Sequence, residues 1–518
     1  MLPSSVNDHD QRVGNIACSS YCTGAGPAGA SSAYYLSKFA TEANLPVNIT
    51  IFERNHYIGG RCTTVNVYDD PDLPVELGAS IFVEVNQILV NASRQFNLSQ
   101  SSVRGSSNPD IQSIPGPSLG VWDGIKFVVT VNGGSSWWET AKFLWKYGTA
   151  PIRTQNLMKS TTARFFRMYN SPVLPFASLT QAVRDIGLVD AVSVTGEAYM
   201  AENSITGNWG HDIVQASTRV NYAQNLKHIH GLEAMVCMAT EGAMAIEGGN
   251  WQIFNSMIEA SDATVLLNTP VTEVATINKG GYSISYQPSS FSGTRSQHFD
   301  HVVLATPWQY ANLSLYGPQI GKDTLYAPDP HVPAKIPYVE LHVTLFTSPH
   351  LLSPAFFNLP STSAVPHSVL TTLPPSEEPI EGPGSCGSVG FFSISLLRRI
   401  TNPSTGGTEY LYKIFSPEPT SDAFLARILG IPVPEKEGLS EVDVSWVYRK
   451  VWNSYPYETP RTEFERVKLG EGLWYTAGME AFISTMETMA MMGRNVAKLI
   501  VEESAGEGAS RTSYDGSS

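Results

Sequence analysis

The sequence predicts an α/β protein, a Rossmann-like dinucleotide-binding domain with a second, α+β domain interleaved through it. Three ordered observations predict this. A glycine turn, GAGPAG at Gly24 to Gly29, opens a helix-forming stretch. An apolar run, VNITIFE, closes on Glu53, and a second glycine pair, Gly59-Gly60-Arg61, follows within eight residues. A six-residue glycine pattern alone is weak in a chain with 42 glycines. The ordered set of turn, helix, acid-ended strand and glycine pair is far more specific.

Each element has a physical reason. Gly24 permits the tight turn out of a strand, Gly26 lets a pyrophosphate approach the backbone, and Gly29 lets the helix pack on the sheet. The helix reads from Ala28 to Leu36, with small residues on its packing face. Glu53 is placed to accept hydrogen bonds from ribose hydroxyls; the plainer alternative is a glycine turn beside a surface glutamate. One element departs from pattern. The strand before the turn should be apolar on both faces, yet Cys18-Ser19-Ser20-Tyr21-Cys22-Thr23 precedes Gly24, and the apolar Val13, Ile16 and Ala17 come too early. Either the first strand is unusually polar, or the chain begins unnaturally, as from a misassigned exon.

Farther on, PVELGAS (Pro74 to Ser80) is an acid-x-Gly-small turn suited to lie along a cofactor, with Gly78 and Ala79 at its tip. Residues 104–120 read as a loop and 136–230 as mainly helical, with Trp138, Phe143 and Trp145 at turn spacing. Strands are expected at 264–268, 282–286 and 299–307, and a second sheet at 337–347 and 389–415 around a Pro/Ser/Gly-rich loop at 360–388. A last strand at 472–478 runs into a helix over 484–502, and 504–518 is expected to be disordered.

Bulk properties narrow the function. At 518 residues, two or three units are expected. Hydrophobic content of 42% with 15% charged residues suits a large core with an apolar cavity. A balance of 33 basic to 47 acidic residues, net −14, argues against nucleic acid. No apolar run is long enough to span a bilayer, which leaves peripheral membrane contact open, and residues 1–20 show no secretory signal. Five cysteines (Cys18, Cys22, Cys62, Cys237 and Cys386) imply neither a disulfide framework nor a metal site. Sequons at Asn48, Asn91, Asn97 and Asn312 only permit a secretory route.

Nucleotide-fold marks at both ends and in the middle resemble the two-domain flavoproteins of the amine oxidase and phytoene desaturase class. The marks are the glycine turn, Glu53, Gly59-Gly60-Arg61, V-x-x-V at Val271 to Val274, the strand ending Ala305-Thr306-Pro307, and the terminal GLWYTAG. The resemblance implies an FAD/NAD(P)-binding Rossmann-like domain, glutathione reductase-like and of amine oxidase type, with FAD as cofactor. It places Arg61 near the pyrophosphate and the Val271 backbone at the adenine. Gly478, Glu480 and the helix start at Met486-Glu487 fall at the ribityl chain and flavin ring, where a helix N-terminus favours negative charge on the reduced ring. The implied FAD-binding segments are 1–97, 232–310 and 460–503. Residues 98–231 form the helical part and 311–459 the sheet part of the substrate domain, and 504–518 the tail.

Three further blocks sharpen the resemblance: RVNYAQN (Arg219 to Asn225), EGGN ending at Asn250, and STMET within Gly478 to Ala497. With YVELHVTLF (Tyr338 to Phe346) and YKIFSPEP, these are similar to the prenylcysteine oxidase, or prenylcysteine lyase, family. The resemblance implies oxidation of a prenylated thioether, farnesyl- or geranylgeranyl-cysteine, by molecular oxygen. The products are an isoprenoid aldehyde, cysteine and hydrogen peroxide. It also implies a vacuolar, lysosomal or secretory location. Chemically, the allylic carbon beside sulfur is a good hydride donor, and water then adds to that carbon. Arg219 either pairs with the substrate carboxylate or forms an internal salt bridge. Asn221 and Tyr222 either hold the water or simply pack. His342 is either a proton shuttle or a core histidine. Gly248-Gly249 either brings backbone to the flavin or forms a turn. No metal site is expected. Two other readings stay open: an oxidase of another prenylated or terpenoid molecule, and a non-catalytic binding or scaffold protein.

Overall fold

A computed structural model describes residues 18–102, 111, 113–132, 143–277, 280–317, 330–382, 385–435 and 438–515. Trp138 and part of the 104–120 loop lie outside the described residues. The central six-stranded sheet runs in the order Lys468–Gly470, Leu473–Tyr475, His301–Leu304, Cys18–Thr23, Val47–Phe52, Thr264–Leu266. All neighbours are parallel except the first pair. Its strands therefore come from the beginning, middle and end of the sequence.

The polar segment Cys18–Thr23 is the first strand after all, hydrogen-bonded on both sides. Ladder bonds use backbone only, so side-chain polarity does not forbid them. Thr23 is buried, and its Oγ1 accepts the Ala305 N–H at 3.0 Å. The following helix, Pro27–Glu42, begins with proline at its first turn, where a missing N–H costs nothing. Its run of Ala28 to Ala33 is entirely buried because the C-terminal helix, Met486–Asp515, crosses very close to it. A Cβ on Gly493 would lie 2.1 Å from Ser31 Oγ, and Ser31 donates to the Ala490 carbonyl at 2.9 Å. That last helix continues through residues 504–515, expected to be disordered; no proline interrupts its i→i−4 bonding.

A seven-stranded sheet forms the second layer, in the order Trp446–Pro456, Tyr338–Ser348, Thr408–Ser416, Ser393–Thr401, Ser368–Thr371, Leu119–Trp122, Phe127–Val131. Two expectations are corrected there. Ser368–Thr371 lies inside the expected 360–388 loop, yet pairs with strands on both sides. Residues 119 and 120, also expected as loop, open another strand. The expected single strand at 299–307 is divided: Arg295–Phe299 belongs to a four-stranded sheet with Tyr282–Tyr286, Val271–Thr276 and Ser314–Tyr316. The described part of 143–238 is mainly helical, from Ala150–Phe165 to Gly231–Met238. Among the described residues no helix is long and apolar enough to cross a membrane, and no cluster of metal ligands occurs.

Candidate active site

The two glycine turns meet at the carboxyl ends of the parallel strands. Gly24 sits at φ +98° and donates to the Phe52 carbonyl at 2.8 Å. A Cβ on Gly29 would lie 1.9 Å from the Gly24 oxygen, so only glycine lets the helix start here. Gly59 donates to the Ala25 carbonyl at 2.9 Å, and a Cβ on Gly60 would lie 3.3 Å from Gly26 Cα. Neither side-chain cap nor acidic residue occupies the first turn of the Pro27–Glu42 helix, which leaves its N–H groups open to an anion.

Around this cradle lies a cavity of about 630 Å³. Gly24, Gly26, Glu53, Gly60, Arg61, Gly78, Ala79, Val271, Glu480 and Met486 all line it. Gly29 and Gly478 do not. Gly29 acts one layer back, through the turn. Gly478 belongs to a buried 3₁₀ turn, Ala477–Ala481, and backs onto Glu465, whose Cβ would stand 3.1 Å from an added Cβ.

Glu53 is nearly sealed from solvent. Its Oε2 accepts the Ala25 N–H at 2.8 Å, and its Oε1 accepts from the Asn55 backbone at 2.8 Å and side chain at 2.7 Å. The acid thus fixes the glycine turn while facing the cavity. Arg61 donates to Glu480 at 2.5 Å and to the Ser454 carbonyl, and Tyr338 donates to the other Glu480 oxygen at 2.9 Å. The Gly78-Ala79 turn is braced from behind. Asn250 donates to the Ala79 carbonyl at 3.0 Å and its N–H meets Glu76 Oε1 at 2.6 Å. Lys413 donates to the Glu76 carbonyl at 2.7 Å and Ser80 Oγ at 2.9 Å. Burial pulls Lys413 down to about 8, partly offset by Glu76. Gly248-Gly249 forms only a turn, packed on Trp251 and Thr64 rather than on the cavity.

A smaller cavity of about 170 Å³ adjoins the first, sharing Thr485 and Met486 in its wall. Its lining is mostly apolar and includes Phe82, Leu89, Phe165, Leu232, Val236 and Ile483. Asn221 and Tyr222 also line it. Asn221 is exposed and caps back to the Ser217 carbonyl at 2.9 Å, whereas the buried Tyr222 hydroxyl donates to the Ser484 carbonyl at 3.2 Å. Glu487, in the same wall, accepts the Ile88 and Leu89 N–H groups and the Tyr169 hydroxyl; it caps the Gln87–Gln95 helix.

Two expected site residues lie elsewhere. Arg219 is completely buried and lines neither cavity. It donates to Thr371 Oγ1, Asn225 Oδ1 and the carbonyls of Ser385 and Cys386, with its guanidinium carbon 5.4 Å from the Phe392 ring centre. Its protein partners are neutral acceptors and not an acidic side chain, because the Gln215–Tyr222 helix packs on the Ser368–Thr371 strand there. Burial draws it down to about 10. His342 sits mid-strand between Ser416 and Val451, outside both cavities, with its Nε2 3.7 Å from Glu340. The sequence reading also missed wall residues from Trp446–Pro456, among them Lys450, Trp452 and Tyr455. Alternating aromatic and branched residues in WVYRKVW carried a strand signal that could have found them.

Comparison with known proteins matches most of the chain. The profile of the prenylcysteine lyase family matches residues 131–510, and an NAD(P)-binding Rossmann-like domain matches 23–92. The farnesylcysteine lyase of Arabidopsis thaliana is 28% identical over 497 residues, covering 92% of this chain and 87% of that protein. Prenylcysteine oxidase 1 of Homo sapiens is 25% identical over 493 residues, with the same two coverages. Among solved structures, a triple mutant of putrescine oxidase redesigned in cofactor binding aligns with TM-score 0.54 at 14% identity, covering 94% of this chain and 99% of that one. The CLA-producing fatty acid isomerase from P. acnes aligns with TM-score 0.56 at 11% identity over the same shares. These two likenesses are of fold.

Proposed function

The chain belongs to the prenylcysteine lyase family, and from that premise we propose that it is an FAD-dependent oxidoreductase cleaving the thioether of prenylcysteines. The observation that carries the reading is the pairing of two adjoining cavities, one built for a dinucleotide and one apolar. Features of the large cavity fit FAD: open helix N–H groups for a pyrophosphate, a backbone cradle at Gly24, Gly26 and Gly60, and the buried acid Glu53 for ribose hydroxyls. Arg61 supplies positive charge, Val271 stands at the adenine end, and Gly78, Ala79, Glu480 and Met486 surround the ring end. Bound FAD supplies a hydride acceptor. In this reading the FAD-binding portion comprises 1–97, 232–310 and 460–503, and the substrate portion 98–231 and 311–459.

The small cavity takes the prenyl chain. Phe82, Phe165, Leu232 and Ile483 exclude water from it and hold the chain by burial. Its junction with the large cavity, at Thr485 and Met486, sets the carbon beside sulfur next to the cofactor. The Tyr222 hydroxyl is a polar group beside that junction, donating to the carbonyl of Ser484. The expected products are isoprenoid aldehyde and cysteine, with molecular oxygen as final acceptor giving hydrogen peroxide. A panel of farnesyl- and geranylgeranyl-cysteine against other prenylated and terpenoid compounds tests this. Aldehyde, thiol and peroxide in equal amounts from the prenylcysteines are expected; turnover confined to other compounds would overturn it.

A further inference from the structure

Directly behind the wall shared by the two cavities lies a sealed acidic pair. Glu233, on the Gly231–Met238 helix, and Glu458, just past the Trp446–Pro456 strand, are completely buried, as is His230. No donor meets any oxygen of either carboxyl group with good hydrogen-bond geometry, although Tyr222 and the Ser484 N–H lie next to Glu233, and His230 Nε2 and Gln224 Nε2 have no partner. Buried polar atoms are almost always satisfied, so a cluster of six orphans calls for a cause.

The surrounding bonds fix which ends are free. His230 Nδ1 accepts the Glu233 backbone N–H at 3.1 Å, so its ring proton sits on Nε2 and faces Glu458 Oε2 at 3.7 Å, too far for a hydrogen bond. Gln224 Oε1 accepts the Glu458 backbone N–H at 2.8 Å, which leaves its amide NH₂ as the open end. Unused donors and unused acceptors thus lie buried together, and a water bridging them would satisfy both.

The charges follow from burial. Burial pushes Glu233 up to about 8, held down partly by the Tyr222 hydroxyl and the Ser484 N–H that face it. Burial also pushes Glu458 well above the carboxylate range; Glu233 and Glu480 add to this and Arg461 opposes it. Burial, with Arg461, pulls His230 down to about 3. Cys237, also close to Glu233, is itself raised by burial, and Tyr455 likewise stays neutral. At neutral pH the protons therefore reside on the carboxyls. Tyr222 connects them to the outside: it lines the small cavity and donates to Ser484, which lines the large one.

We propose that Glu233 and Glu458, with His230 and Gln224, enclose ordered water and form a proton store serving the substrate cavity through the Tyr222 hydroxyl. This rests on the thioether reading above. Cleavage of the hydrated carbon needs a proton at sulfur and releases one from oxygen. As the C–S bond breaks, its electron pair goes to sulfur and the Tyr222 hydroxyl proton follows; the Glu233 carboxyl reprotonates Tyr222. The hydroxyl on carbon becomes C=O, and its proton returns through Tyr222 to Glu233. No net proton or oxidant is consumed. Tyr222 touches substrate, whereas Glu233 and Glu458 are positioning residues.

The test combines infrared spectroscopy of the substrate-free holoprotein with the pH dependence of thiol release. The expected infrared difference across about pH 8 shows a neutral carboxyl band that Glu233→Gln abolishes. Thiol release by the native protein is expected to fall as pH rises through that value, and in Glu233→Gln to be slower and flat. A band untouched by Glu233→Gln, or an unchanged pH profile in that variant, would overturn the proposal. If Glu233→Gln does not fold, Tyr222→Phe should keep the infrared band and lose the alkaline fall, and a fall that persists in that variant would overturn it. The infrared band decides the store without substrate, so inactivity of the native protein toward every prenylcysteine would count against the thioether reading alone.

Discussion

Arg61 and Glu480 meet across the large cavity, Nη2 to Oε1 at 2.5 Å, although 419 residues separate them in the chain. The contact joins the second glycine turn to the terminal turn. With Tyr338 on the other Glu480 oxygen, it locks the second sheet to both. The Glu480 side chain is 1% exposed and that of Arg61 32% exposed, so the pair is desolvated on one side only. Glu480→Ala should cost about 1–3 kcal/mol of stability and release the cofactor more readily, because Arg61 and Tyr338 lose their acceptor. Denaturant melts and flavin retention on dilution check this; unchanged values in both would make the pair incidental.

Arg219→Met should lower stability by about 2–4 kcal/mol while the protein still binds cofactor, since four neutral acceptors lose a buried donor. Chemical melts with flavin quantitation read this directly. A stable variant with a raised KM would return Arg219 to the substrate.

The cofactor cradle was legible in the sequence because its chemistry is local: Gly24, Gly29 and Glu53 are each dictated by a turn or strand end next to them. Arg219 and His342 stayed between two readings for the opposite reason. Their partners, Thr371 and Ser385 for one and flanking strands for the other, are distant in sequence, and a polar residue in an apolar block reads alike in a core and in a site. Cys18–Thr23 resisted because strand pairing there depends on its neighbours rather than on its own hydrophobicity. The small cavity as a whole was not legible, being built from five separated stretches around residues 82, 165, 221, 236 and 485, of which the sequence marked only Asn221, Tyr222 and the helix start at Met486-Glu487.

His230 caps the Gly231–Met238 helix with a neutral imidazole. Its folded value, pulled down to about 3, lies below the ordinary 6.5, so its contribution is fully present above 6.5 and lost as pH falls toward 3. His230→Asn keeps a side-chain oxygen for the cap but cannot titrate. Thermal melts across that range should show a shallower acid loss for the variant; parallel curves would mean the imidazole is not buried neutral.

Val236→Trp should fill the small cavity. The expected result is a raised KM, larger for geranylgeranyl- than for farnesyl-cysteine, with flavin content unchanged. Equal kinetics for both substrates before and after substitution would place the prenyl chain elsewhere.

The central claim is that hydride leaves the carbon beside sulfur at the junction of the two cavities. Anaerobic mixing of the flavin-loaded protein with farnesylcysteine, followed by visible absorbance, tests it most directly. The account predicts rapid bleaching that slows when that carbon carries deuterium. Full flavin occupancy with no bleaching by any prenylcysteine, or bleaching indifferent to the isotope, would contradict it.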